Sequence, residues 1–152
     1  MNSRAQVSLE YLFIVGLALA IIIPGAYLFY SYSKSSNDDL TSSEIVRVGN
    51  EVLRVGEEAY VSGTNSWRTL KVTFPESVQN MIFIDDSNQE MVINYWTENG
   101  LTEAVFFVPS GFHFETNETT WIGPLQTWSY KVSPGRNALR LEAKGAGIVF
   151  VS

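Results

Sequence analysis

The feature that most constrains this chain is a run of 23 residues, Tyr11 to Ser33, without one Asp, Glu, Lys, Arg or His. A helix of that length rises about 34 Å, enough to cross the ~30 Å apolar core of a bilayer. Glu10 stands directly before the run, and Arg4 is the only basic residue ahead of it. The run must be covered by lipid or by other apolar helices, and the place of Glu10 needs an explanation.

The composition differs between the N-terminal part of the chain, which needs partners to cover it, and the C-terminal part, which can bury its own core. Residues 63–152, the head, contain all four Trp and seven of the nine Phe, enough for one hydrophobic core. The formal net charge is −6 and no run of the sequence concentrates Lys and Arg, which argues against nucleic acid as a partner. The chain has no Cys, which excludes disulfides, thiolate catalysis and cysteine zinc sites.

Two simple interpretations of the apolar run leave Glu10 unexplained. A secretory signal peptide has an apolar region of about 7–15 residues before small residues such as Ser31 and Ser33, and this run is longer. A single-pass anchor fits the length, with Arg4 on the inner side. In both cases an acid bordering the run brings a desolvation cost without a benefit, because buried carboxylates need a partner.

The residues around Glu10 resemble the signature of archaeal type IV pilins. Every fixed position of that family's Q-x-S-x-E-Y-L pattern is present in this chain, at Gln6, Ser8, Glu10, Tyr11 and Leu12. The resemblance covers about the first 30 residues. It implies that a prepilin peptidase cuts between Ala5 and Gln6, which makes Glu10 the fifth residue of the mature chain and gives Gln6 a new terminal ammonium.

The resemblance also implies an assembly role for Gln6 and Glu10. The Glu10 carboxylate would pair with the Gln6 ammonium of a neighbouring copy and fix the register, since an unpaired carboxylate among apolar helices is costly. Alternatively, Glu10 is protonated and only hydrogen-bonded. Both roles stay open at this stage.

Pro24 and Gly25 interrupt the apolar segment. Pro removes an i→i−4 hydrogen bond and usually kinks a helix, so the sequence predicts a kink near Pro24. The resemblance implies a further role, in which local melting lets packed subunits slide and a filament stretch.

The segment after the apolar run predicts a second, amphipathic stretch of helix. Residues 33–43 are polar and form either a break or an exposed helical stretch, and Asp38-Asp39 could begin a new helical section. A 3-4-3-4 spacing then makes one apolar stripe, formed by Ile45, Val48, Val52, Val55 and Ala59. Gly49 and Gly56 lie in the same stretch, and each costs ~1 kcal/mol in a helix interior, so close packing against a sheet is expected there.

After Trp67 the hydrophobic period changes from 3.6 to 2, which indicates strands. Seven or eight short strands with turn signals between them predict an antiparallel β-sandwich-like head and an α+β fold overall. Asn99-Gly100 is the strongest hairpin signal. The last strand, Ile148 to Val151, is too apolar for an open edge and is expected to be central or covered.

The head shows no pattern that predicts catalysis, so an enzyme, a cofactor and a metal are not expected. His113, the only His, is predicted to be a solvated strand residue without a group to orient it as a base. Asp85-Asp86 with Glu90 make only a weak calcium pattern. Asn117-Glu118-Thr119 is an N-glycosylation sequon, within a polar stretch, residues 115–120, predicted to be an exposed loop.

These observations predict a prepilin leader (1–5), an N-terminal helix (6–62, apolar over 6–33 and amphipathic over 34–62) and the head (63–152). On the resemblance, the precursor sits in the cytoplasmic membrane, is trimmed after Ala5 and is polymerised by the pilus machinery with copies of itself. The product is an adhesive filament at the cell surface. The sequence does not indicate which surface the filament binds. Two alternatives are a membrane-anchored extracellular binding module and a minor pilin-like or archaellum-related subunit.

Overall fold

The computed structural model describes residues 3–85, 89–117, 119–122 and 125–152, and within them one helix precedes nine strands. The elements are α1 Ser3–Val61, β1 Trp67–Phe74, β2 Val78–Asp85, β3 Glu90–Thr97, β4 Gly100–Phe107, β5 His113–Thr116, β6 Thr119–Ile122, β7 Leu125–Tyr130, β8 Gly135–Gly145 and β9 Ile148–Val151. The predicted α+β fold, a long apolar N-terminal helix followed by a β-rich head, is confirmed. The chain forms two compact units, Met1–Asp38 and Asp39–Ser152.

Helix α1 includes the residues at which the sequence suggested an interruption. Residues 33–43 are helical, and the Ser43 hydroxyl donates a hydrogen bond to the Asp39 carbonyl four residues back, at 2.8 Å. Asp38-Asp39 therefore does not begin a separate helix. Pro24 lies inside α1, and the kink at Pro24-Gly25 stays a prediction.

The strands form two sheets, with orders β1-β8-β9-β5 and β4-β3-β2-β7-β6. All pairs are antiparallel except β5 with β9, so the head is mostly antiparallel, as predicted, and contains one parallel pair. The parallel pair arises because β5 and β9 are not joined by a hairpin. Strand β9 returns from β8 through a tight turn at residues 145–147, whereas β5 follows β4 of the other sheet. The last strand, predicted to be central or covered, is central, because β9 lies between β8 and β5.

One hydrophobic core in the C-terminal unit joins the helix to both sheets. The predicted stripe is confirmed, since Ile45, Val48, Val52 and Ala59 have no exposed surface and Val55 is 7% exposed. The alternating residues predicted for the strands face the same core, among them Leu70, Phe83, Ile93, Leu139 and Val149. Burial of this size supplies most of the driving force for folding of the unit.

Gly49 and Gly56 allow aromatic rings of the two sheets to lie directly on the backbone of α1. A Cβ added at Gly56 would come within 2.5 Å of Phe114 Cζ, and one added at Gly49 would overlap the Phe106 ring. Phe106 is on β4 and Phe114 is on β5. The close packing expected from these two glycines is therefore confirmed.

The hairpin predicted at Asn99-Gly100 is confirmed. Thr97 and Gly100 are register partners, so β3 and β4 are joined by the two residues Glu98 and Asn99. Gly100 has a φ of 121°, a conformation that L-residues with a Cβ rarely adopt. The turn fixes which side chains of β3 and β4 face away from the core.

Candidate functional site

The apolar part of α1 has no cover of its own. Fifteen large apolar or aromatic side chains between Leu9 and Tyr32 are each 49–77% exposed. In the described part of the chain, α1 is the one helix long and apolar enough to cross a membrane, and its most apolar stretch is not buried. A surface this apolar is stable only in lipid or against other apolar helices, so α1 suggests membrane insertion.

The residues predicted for processing and register, Ala5, Gln6 and Glu10, lie near the start of α1. Glu10 is exposed, and Ala5 and Gln6 have helical backbone while their side chains lie outside the described residues. Positions 6 and 10 are one helical turn apart. No other charged residue occurs between Glu10 and Lys34, so the apolar run itself offers this carboxylate no cationic partner.

Two glycines leave room for another helix to approach. A Cβ added at Gly16 or Gly25 would meet no heavy atom within 4 Å. Gly16 and Ala20 form a small-xxx-small pair, a pattern that brings helix backbones close together in an apolar medium. These positions are suited to contact with the apolar helix of a second chain.

Strands β3 and β4 present a surface that is apolar with two acids, and we name it the apolar-acidic face: Glu90, Trp96, Leu101, Glu103, Val105 and Phe107. Its four apolar side chains are 47–66% exposed. Trp96 is paired across the strands with Leu101, and Glu90 with Phe107. Strand β4 is also an edge of its sheet, where a long apolar strand invites pairing or aggregation unless it is covered.

The outer face of the four-stranded sheet is basic and aromatic, and we name it the basic face: Trp67, Lys71, Arg136, Arg140, Lys144 and Phe150. The Arg140 guanidinium lies 5.1 Å from the centroid of the Trp67 ring, and Lys144 Nζ lies 5.5 Å from that of Phe150. Glu142 pairs with both cations, at 3.3 Å from Arg140 and 3.1 Å from Lys144.

This cluster of cations is not visible as a run in the sequence, because the fold creates it. Lys71 and Arg136 are 65 residues apart in the chain, yet their strands β1 and β8 are neighbours, with Lys71 opposite Ala138 and Arg136 opposite Thr73. Alternation along a strand places residues i and i+2 on one face. The pattern R-x-x-x-R-x-x-x-K over residues 136–144 was the available signal, and it required the strand to be recognised first.

His113 is more constrained than the sequence predicted. Its side chain is 23% exposed, and Nε2 lies 3.2 Å from Glu115 Oε1. The ring also lies beside Trp128, with 6.1 Å between centroids. Glu115 is therefore a neighbour on the same strand that is placed to orient the His113 ring.

No group of three or more His, Cys, Asp or Glu that could hold a metal ion occurs among the residues that the structure describes. The weak calcium pattern of Asp85-Asp86 and Glu90 falls partly outside them, because Asp86 is not described.

The sequon lies at a short connection. Asn117 is exposed and stands between β5 and β6, while Glu118 lies outside the described residues. The predicted exposed loop over residues 115–120 was wrong in extent, because residues 115–116 and 119–120 belong to strands. The Thr116 hydroxyl donates to the Ser129 carbonyl of β7 at 3.1 Å, which ties this connection to the sheet.

An exposed sequon Asn predicts a glycan on the natural protein. The intact mass of the purified chain is expected to exceed that of the mature polypeptide without a glycan. Asn117→Gln is expected to remove this excess mass. Asn99→Gln, at another exposed Asn, is the control and should retain it. A wild-type mass equal to that of the bare polypeptide would show that Asn117 is unmodified.

No protein-family model, curated protein or solved structure matches this chain.

Proposed function

We propose that this chain is the structural subunit of an archaeal type IV adhesive pilus. It is made as a membrane-inserted precursor and cleaved after Ala5 by a prepilin peptidase. The pilus machinery then polymerises it through its apolar helix into a filament at the cell surface. The apolar helices form the filament core in this proposal, and the β-rich heads form its surface.

The observation that carries the proposal is the contrast between the two units of the chain. The C-terminal unit buries its own hydrophobic core, whereas the apolar helix of the N-terminal unit exposes nearly all its large side chains. Lipid covers such a helix in the precursor, and copies of the same helix cover it in a polymer. The second environment also supplies what lipid does not, a cationic partner for Glu10 at the level of the apolar layer.

The Q-x-S-x-E-Y-L pattern supports the pilin proposal over a plain membrane anchor. An anchor requires only length and apolar character, and neither requires Gln6, Ser8 or Glu10. Cleavage before the run, rather than after it, keeps the apolar helix in the mature chain and creates the ammonium that Glu10 lacks. The same pattern favours an adhesive pilus over an archaellum.

The test is the N-terminus of the protein in sheared surface filaments. We expect filaments in which this chain is the main component and begins at Gln6. A chain that keeps Met1 and stays with the membrane after shearing would support the anchored binding module instead. A chain trimmed at Gln6 but present only in trace amounts would support a minor pilin-like subunit.

A further inference from the structure

The charges of the head are divided between its two sheets. Residues 72–130 contain no Lys or Arg, and this range includes every strand of the five-stranded sheet, β2, β3, β4, β6 and β7. The strands of the four-stranded sheet, by contrast, carry half of the ten basic residues of the chain. Five of the six basic residues of the head, residues 63–152, therefore lie on the four-stranded sheet.

The apolar-acidic face is a surface that needs a cover. Phe107 is 66% exposed, and Trp96 is 54% exposed. Exposed apolar side chains that are contiguous, rather than scattered, mark interaction surfaces. Aromatic anchors such as Trp96 are also the residues that most often carry binding energy at interfaces.

The basic face offers the complementary chemistry. Lys71 and Arg136 are exposed and have no ion-pair partner in the described part of the chain. Trp67 lies on the same face, four residues along β1 from Lys71, and is 54% exposed. An apolar surface that carries Glu90 and Glu103 would find both an aromatic contact and unpaired cations on this face.

We infer that the apolar-acidic face of one head docks on the basic face of the head of a second copy. The inference rests on the proposed function, because polymerised helices would hold neighbouring heads at a high effective concentration. Two different surfaces then meet at each contact, so the contact is heterologous and can repeat without closing, as a filament requires. Contact of a face with its own copy is disfavoured, because it would bring like charges together.

The absence of Cys from the chain allows the contact to be tested with introduced thiols. Thr69 lies on β1 between Trp67 and Lys71 and is exposed, and Leu101 lies in the apolar-acidic face and is 48% exposed. Filaments of Thr69→Cys, of Leu101→Cys and of the double variant are treated with a short bismaleimide, which joins two nearby thiols. The double variant is expected to give a ladder of covalent dimers, trimers and longer species on a denaturing gel, and each single variant only monomers.

The outcomes separate the two proposals. Only monomers from intact filaments of the double variant would overturn the head contact and leave the filament proposal in place. Dimers from either single variant would overturn the heterologous arrangement, because each face would then meet its own copy. If the wild-type chain forms no filaments, the proposed function fails. The same crosslinking is then done on the concentrated full chain in detergent, where a ladder supports the contact and its absence overturns it.

Discussion

Glu10→Ala is expected to abolish filaments while the precursor is still inserted and trimmed. In the proposed filament the Glu10 carboxylate meets the Gln6 ammonium of a neighbouring copy, away from water. Removing one partner of a buried pair leaves the other charge uncompensated, at about 3–5 kcal/mol. Because 1.4 kcal/mol corresponds to about tenfold in an equilibrium constant, the subunit concentration needed for assembly should rise by roughly two to four orders of magnitude.

The measurement is filament yield in sheared material, with the precursor and mature bands followed on the same blot. Glu57→Ala is the control, since Glu57 is an exposed acid of the same helix outside the apolar run. It should form filaments at the wild-type level. Substitutions at Ala5 or Gln6 should act at the earlier step and leave an unshifted precursor band. Wild-type filament yield from Glu10→Ala would refute the register role.

Glu10→Gln decides between the two states left open for this side chain. Gln keeps the shape and hydrogen bonding of a protonated carboxyl group but carries no charge. If Glu10 is ionised and paired with an ammonium, the Gln variant should fail to assemble, as the Ala variant does. If Glu10 is protonated and only hydrogen-bonded, the Gln variant should form filaments.

The parts of the fold that depend on local pattern were predictable from the sequence. The stripe from Ile45 to Ala59 follows from helical spacing, and the β3–β4 hairpin follows from Asn99-Gly100. Both are decided by residues close together in the chain, and their burial agrees with the pattern. The composition of β9 predicted a central or covered position, because a strand that apolar is not suited to an open edge, and the structure shows it to be central.

The parts that depend on distant pairing were not predictable. The parallel pairing of β5 with β9 joins residues 35 apart, as in His113 with Ile148, and no local signal distinguishes it from an antiparallel pair. Strand β6 was missed because its four residues adjoin a polar stretch that resembles a loop. The basic face was missed for the same reason as the parallel pair, since only the register of β1 with β8 brings Lys71 close to Arg136.

The largest expected effects on the stability of the head come from Gly49 and Gly56. The space that a side chain at Gly49 or Gly56 would occupy is filled by the ring of Phe106 or Phe114. Any larger residue therefore pushes that ring out of the core. Replacing Gly by Ala in a helix gains about 1 kcal/mol from propensity, which partly offsets the overpacking. Val gains less from propensity and adds two methyl groups, so Gly49→Val and Gly56→Val should each lose about 2–3 kcal/mol.

The thermal midpoint of the full chain in detergent, followed by near-ultraviolet circular dichroism of the head aromatics, measures this loss. For a domain of this size, 1 kcal/mol corresponds to about 3–5 °C, so each variant should melt roughly 10 °C below the wild type. Asn50→Val is the matched control, because Asn50 adjoins Gly49 on α1 but is exposed, and its midpoint should change little. Equal midpoints for Gly49→Val and Asn50→Val would mean that the Phe106 ring can leave the helix without loss. In that case the close approach of helix and sheet would not stabilise the core.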